Sequence, residues 1–135
     1  MTKSQALYSF WASFGWIAVD EQSMYDEKTM TELGDPSRYI SFENAVGELG
    51  GTIALDADLW HKSTSWATVE AKAQEIFDAI GYGGKLIPYD GGAIWITRRN
   101  PAYQHMATVG TISGEETSAS MRRIHFNINA EFLSV

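Results

Sequence analysis

Cysteine is missing from this chain. That removes disulfides, thiol nucleophiles and thiolate metal sites together, and it fits folding in a reducing cytoplasm. Long apolar runs are also missing: no stretch approaches the roughly 18 residues of a membrane span, so no membrane partner is expected. The first eight residues hold one basic side chain, and the apolar run from Trp11 to Trp16 is broken by Ser13 and Gly15 with no small-residue cleavage site. A secretory leader is therefore not expected. Positive charge is scarce, with 10 Lys and Arg against 17 Asp and Glu. The formal charge of −7 opposes any sequence-independent grip on nucleic acid, which needs a positive field. The three histidines, His61, His105 and His125, lie far apart, with none at the i, i+3 or i+4 spacing of a helical metal pair.

What the chain does have is a composition for one domain: 135 residues, 44% apolar and 13% aromatic, enough to bury a core without staples. Its clearest pattern is residues 121 to 133, where Ile124, Phe126, Ile128, Ala130 and Phe132 alternate with Arg123, His125, Asn127, Asn129 and Glu131. This predicts a strand with one buried face. At about 3.3 Å per residue it would run roughly 40 Å, beyond what a small domain needs, and so suggests contact with a neighbouring subunit.

Upstream, Thr2 to Gln5 reads as a capping box opening a helix over residues 2 to 14, with Leu7, Phe10, Trp11 and Phe14 on one face, and Trp16 to Val19 as a short strand. Residues 20 to 37 form a polar, acidic stretch expected to be a mobile loop that orders against a partner. Arg38 to Val46 and Thr52 to Trp60 predict a hairpin with Asp56 and Asp58 on its wet side. Ser63 to Ser65 offer caps for a second helix carrying Trp66, Val69, Ala73, Ile76, Phe77 and Ile80, stopped by Gly81. Lys85 to Tyr89 and Ala93 to Arg99 predict a second hairpin around Asp90-Gly-Gly92, with Asn100-Pro101 ending the strand and residues 102 to 120 irregular. The sum is α+β: a single mainly antiparallel sheet of about five to six strands with two helices packed on it.

Candidate chemistry is sparse. Asp56 and Asp58 resemble a carboxylate pair for acid/base work or cation binding, and equally the solvated side of a hairpin. Gly81-Tyr-Gly-Gly84 resembles a phosphate cradle but follows a helix C-terminus, whose dipole repels anions. Trp60, Trp66 and Trp95 fit core packing, or an aromatic ligand pocket. No catalytic residue, cofactor site or metal site is assigned. Charge is better organised than chemistry. Asp20, Glu21, Asp26, Glu27, Glu32 and Asp35 stand against Lys28 alone, net −5 for that segment, while Arg98-Arg99 and Arg122-Arg123 form two arginine pairs. Such segregation suits ion pairs between copies of the chain or with a docking partner, or else local strand-end pairing.

Phe42 to Gly51, Leu59 to Ser63, Trp66, Lys72, Asp90 to Trp95, Asn100-Pro101, Gln104, Arg122 to Ile124, Asn127 and Glu131-Phe132 together resemble the tail terminator, or tail-completion, proteins of long-tailed bacteriophages. The resemblance covers roughly residues 38 to 135. It implies a non-enzymatic virion protein that forms a homohexameric ring on the tail tube protein, stops tube polymerisation and docks to the head-tail connector. It further implies a place at the head-proximal end of the tail, assembly in the host cytoplasm, and DNA passing through the ring. Two other readings stay open. One is a cone-shaped small-molecule-binding or weakly enzymatic domain with Trp60, Trp95, Asp56 and Asp58 around a pocket; the other is a non-viral homodimer joined at its edge strands.

Overall fold

The computed structural model describes residues 1–21, 38–62, 65–106 and 121–134. Helix α1, Lys3–Ala12, begins with the expected capping box. Thr2 Oγ1 accepts from the Gln5 N–H at 3.1 Å, and Gln5 Oε1 accepts from the Thr2 N–H at 2.8 Å. Two orphan donors are thereby satisfied, worth about 1 kcal/mol. Helix α2, Ala67–Ile80, buries Val69, Ala73, Ile76 and Ile80, the face its spacing predicts. Its cap position is Trp66, one residue later than expected, and Ser65 Oγ accepts from the Ala67 N–H at 3.1 Å. Gly81 ends it with φ 70°, a conformation that glycine adopts without cost.

Six strands form one sheet: β1 Ile17–Asp20, β2 Arg38–Phe42, β3 Thr52–Lys62, β4 Lys85–Tyr89, β5 Gly92–His105 and β6 Met121–Ser134, in the order β1-β2-β3-β6-β5-β4. The sheet is mixed, which corrects the mainly antiparallel expectation in part. Four pairings are antiparallel, but β1 and β2 run parallel, from Ile17↔Tyr39 to Asp20↔Phe42. Residues 21 to 37 separate these two strands, the dozen or more that a parallel crossover requires. The acidic stretch expected to be a mobile loop lies, apart from Asp20 and Glu21, outside the described residues.

Two further expectations change. Asn100-Pro101 does not end its strand: β5 continues to His105, and the register shifts between Arg98 and Tyr103. A bulge takes up the proline, which has no N–H to give the ladder. Nor does β6 outreach its domain. It is an interior strand, paired with β3 from Thr52↔Glu131 to Lys62↔Met121 and with β5 from Gly92↔Ser134 to His105↔Ile124. Two long neighbours inside the chain match its length, so that length no longer argues for a second subunit.

Both helices lie on one face of the sheet. Helix α1 touches β1 and β4, the two opposite edges, so the sheet curls around it into a half-barrel. The concave core joins Phe10 and Trp11 of α1 and Ile76 of α2 to Phe42, Leu55, Ile94, Phe126 and Phe132, each at most 2% exposed. Phe126 is its centre, meeting Trp11 edge-on at 6.1 Å and lying parallel to Tyr103 at 5.7 Å. Among the described residues, no helix is long and apolar enough to cross a membrane.

Candidate functional site

The convex face, on which neither helix packs, carries the richest polar geometry. Strand parity points Asp56 and Asp58 outward from β3, and Arg123, His125 and Asn127 outward from β6. Register then sets Trp60 beside Arg123, Asp58 beside His125 and Asp56 beside Asn127. Asp58 accepts from Arg123 through Nε at 3.0 Å and Nη2 at 3.2 Å, and lies 2.8 Å from His125 Nδ1. Asp56 receives Arg99 Nη1 at 3.3 Å and faces His125 Nε2 at 3.7 Å. His125 thus joins two ion pairs into one network, with the Arg123 guanidinium 5.2 Å from the Trp60 ring centre. Trp60 stacks on Tyr39 at 6.0 Å and donates to Ser41 Oγ at 2.9 Å. Asp58, 13% exposed, is held by Arg123 and His125, so the network braces the sheet, while Asp56 is 45% exposed.

The four arginines separate, because adjacent strand residues point to opposite faces. Arg98 turns inward and donates through Nε and Nη2 to the Phe77 carbonyl at 3.0 and 2.8 Å, closing the end of α2. Arg122 also turns inward, 3% exposed, with its guanidinium 5.6 Å from the Trp66 ring. Only Arg99 and Arg123 share the convex face, and both already hold aspartates. Of the four arginines expected in intersubunit or docking ion pairs, Arg98, Arg99 and Arg123 are half-buried and Arg122 is buried. Of the acidic set, Asp20 ends β1 half-buried and engaged, and Glu21 follows it half-buried; Asp26, Glu27, Glu32 and Asp35 lie outside the described residues. The sequence reading paired neither Asp56 nor Asp58 with its arginine. The parity of 123 and 125 was visible, but not that β6 would lie against β3.

Trp60 and Trp95 do not meet. They stand opposite Arg123 and Glu131, eight positions apart on β6, about 26 Å. Trp95 belongs to a different feature, at the β4 edge. Its indole N–H donates to the Gly83 carbonyl at 2.9 Å, and its ring packs on Gly84 so closely that a Cβ there would come within 2.5 Å of Nε1. The ring, 38% exposed, lies beside its register partner Leu86, 60% exposed, whereas the Tyr82 ring lies 4.8 Å from the Arg98 guanidinium. An open cleft of about 380 Å³ runs between Gly83, Gly84, Leu86, Trp95 and Leu133. Among the described residues, strand β4 has a partner strand on one side only, as does β1 at the other edge, where Ile17 is exposed. Among the described residues, no group of three or more His, Asp or Glu side chains is placed to hold a metal. No protein-family profile, curated protein or solved structure matches the chain.

Proposed function

We propose that the chain is an assembly subunit of the tail-terminator kind. It closes with copies of itself into a hexameric ring on the head-proximal end of a phage tail tube, ends tube polymerisation, and offers a surface to the head-tail connector, with DNA passing through the ring. It acts by fit rather than by catalysis, in the virion and, during assembly, in the host cytoplasm. The observation that carries this reading is the β4 edge: a strand with one strand partner among the described residues, beside the exposed side chains of Trp95 and Leu86. Contiguous exposed apolar surface of this kind marks protein contacts, and an open strand edge invites an added strand. The opposite edge, β1, runs in the same direction but differs in sequence. A β4-to-β1 contact is therefore heterologous, and heterologous contacts close into rings when their rotation permits. The resemblance over residues 38 to 135 supplies the identity of the assembly.

Light scattering and negative-stain imaging of the purified protein, alone and with tail tubes, test the reading. A closed ring seated on tube ends is expected. Tubes left bare would remove the terminator assignment, and a two-fold dimer would replace the ring with an edge-strand homodimer.

A further inference from the structure

Basic residues scattered along the sequence converge at one end of the concave face. Register sets Arg38 of β2 beside His61 of β3, and His61 beside Arg122 of β6; α2 adds Lys72. Trp16 lies among three of them, its ring centre 5.9 Å from the Arg38 guanidinium, 5.8 Å from Lys72 Nζ and 5.9 Å from the His61 ring. Beside Trp16 opens a cleft of about 500 Å³, walled by Arg38, Lys72, Glu75 and the first turns of α2, including Thr68. Its one carboxylate, Glu75, is held by Lys72 at 3.2 Å, and Lys72 also donates to the Phe14 carbonyl at 2.7 Å. The ammonium is thereby anchored at the wall.

Arg38 is different. Its side chain is exposed, and among the described residues no carboxylate lies within ion-pair distance. Behind it, His61 Nδ1 is enclosed without a hydrogen-bond partner among the described residues. Burial, and then the Arg38 charge, hold the His61 pKa below its ordinary value, so the ring stays neutral near pH 7 while the field around it is positive. In a chain of net charge −7, this is a concave patch of opposite sign carrying a planar donor that meets no carboxylate among the described residues.

We propose that this cleft binds an oxyanion, a carboxylate or a phosphate group, gripped by the Arg38 fork over Trp16. A guanidinium presents two parallel N–H groups that match two oxygens of either ligand, and the N-terminal turns of α2 add a favourable dipole. The site is separate from the β4 edge and is built within one copy of the chain, so it does not rest on the ring reading.

The test is an amide and indole NMR titration of the full chain at constant ionic strength, one arm with sodium phosphate and one with sodium benzoate, against sodium chloride. Saturable shifts of the Trp16 indole N–H and the Ala67 and Thr68 amides are expected in at least one arm, and the arm that saturates identifies the group. Arg38→Gln should weaken that binding roughly 10-fold or more, while Arg99→Gln, on the other face, leaves it unchanged. Should Arg38→Gln not fold, Arg38→Lys keeps the charge and loses the fork: binding several-fold weaker supports the site, and unchanged binding overturns it. Shifts that stay linear, that match chloride, or that persist undiminished in Arg38→Gln also overturn it, including the case in which the chain's own carboxylates already fill the cleft.

Discussion

Asp58 and His125 face each other in direct register across β3 and β6, with Asp58 Oδ1 2.8 Å from His125 Nδ1. A carboxylate accepts only, so this contact places the ring proton on Nδ1 and turns Nε2 toward Asp56. The same oxygen takes Arg123 Nε, so one residue holds two cationic or polar partners from the central strand.

Asp58→Ala should therefore destabilise the fold by about 2–4 kcal/mol, because it strands a half-buried guanidinium and an imidazole. Asp56→Ala, whose side chain is 45% exposed and makes one long ion pair, should cost less than about 1 kcal/mol. Urea unfolding of the two variants checks the ranking. Equal losses would mean that Asp58 is no more central than its neighbour.

Charge reversal should separate the arginines in the same way. Arg122→Glu buries a carboxylate 3% exposed beside Trp66 and should cost about 3 kcal/mol or more. Arg99→Glu should cost about 1 kcal/mol or less while weakening any contact its face makes with a neighbour. Thermal unfolding and sedimentation on the same samples read both effects.

Gly84→Ala is expected to lower stability by about 1–3 kcal/mol. Its φ is +81°, and the added Cβ would stand 2.5 Å from Trp95 Nε1 and 2.7 Å from the Ile96 carbonyl oxygen. The tryptophan must move, so its emission should also shift. A stable variant with unchanged fluorescence would show that Trp95 is not pinned by this turn.

Leu86→Lys places a charge on the edge strand where the leucine is 60% exposed. Folding stability should change by no more than about 0.5 kcal/mol, as for an ordinary surface substitution, while self-association is lost. Light scattering of folded, matched samples decides it. Undiminished assembly would move the interface away from β4.

His61 sets an acid-side slope. Its folded pKa lies below the ordinary 6.5, from burial first and the Arg38 charge second. As pH falls below 6.5 the unfolded chain takes up this proton before the folded one does. The contribution is thus fully present above 6.5 and declines as pH falls toward the folded value. His61→Gln should flatten stability between about pH 7.5 and 5.5, and Arg38→Gln should flatten it in part. Denaturant midpoints measured across that range test the sign; parallel wild-type and His61→Gln curves would refute it.

Wherever local pattern decides structure, the sequence alone was sufficient. The capping box at Thr2 and Gln5, the buried face of α2, the Gly81 stop, the hairpin turn at Asp90-Gly91 and the inward row of β6 all follow from periodicities of two or 3.6 and from which residues cap or turn. The tertiary structure decided what depends on who lies next to whom. Periodicity states that Asp58 and His125 each face outward from a strand, but not that β6 inserts between β3 and β5, which makes them partners and gives the 14-residue strand neighbours within its own chain. It could not separate Arg98 from Arg99 by role, since one needed the end of α2 beside it and the other needed Asp56. Nor could it assemble Arg38, His61 and Lys72 around Trp16, for those contacts join residues tens of positions apart and exist only once the sheet has curled. Secondary structure is written in neighbours along the chain, whereas sites are made by neighbours across it, and strand order, which no local free energy specifies, sets the second from the first.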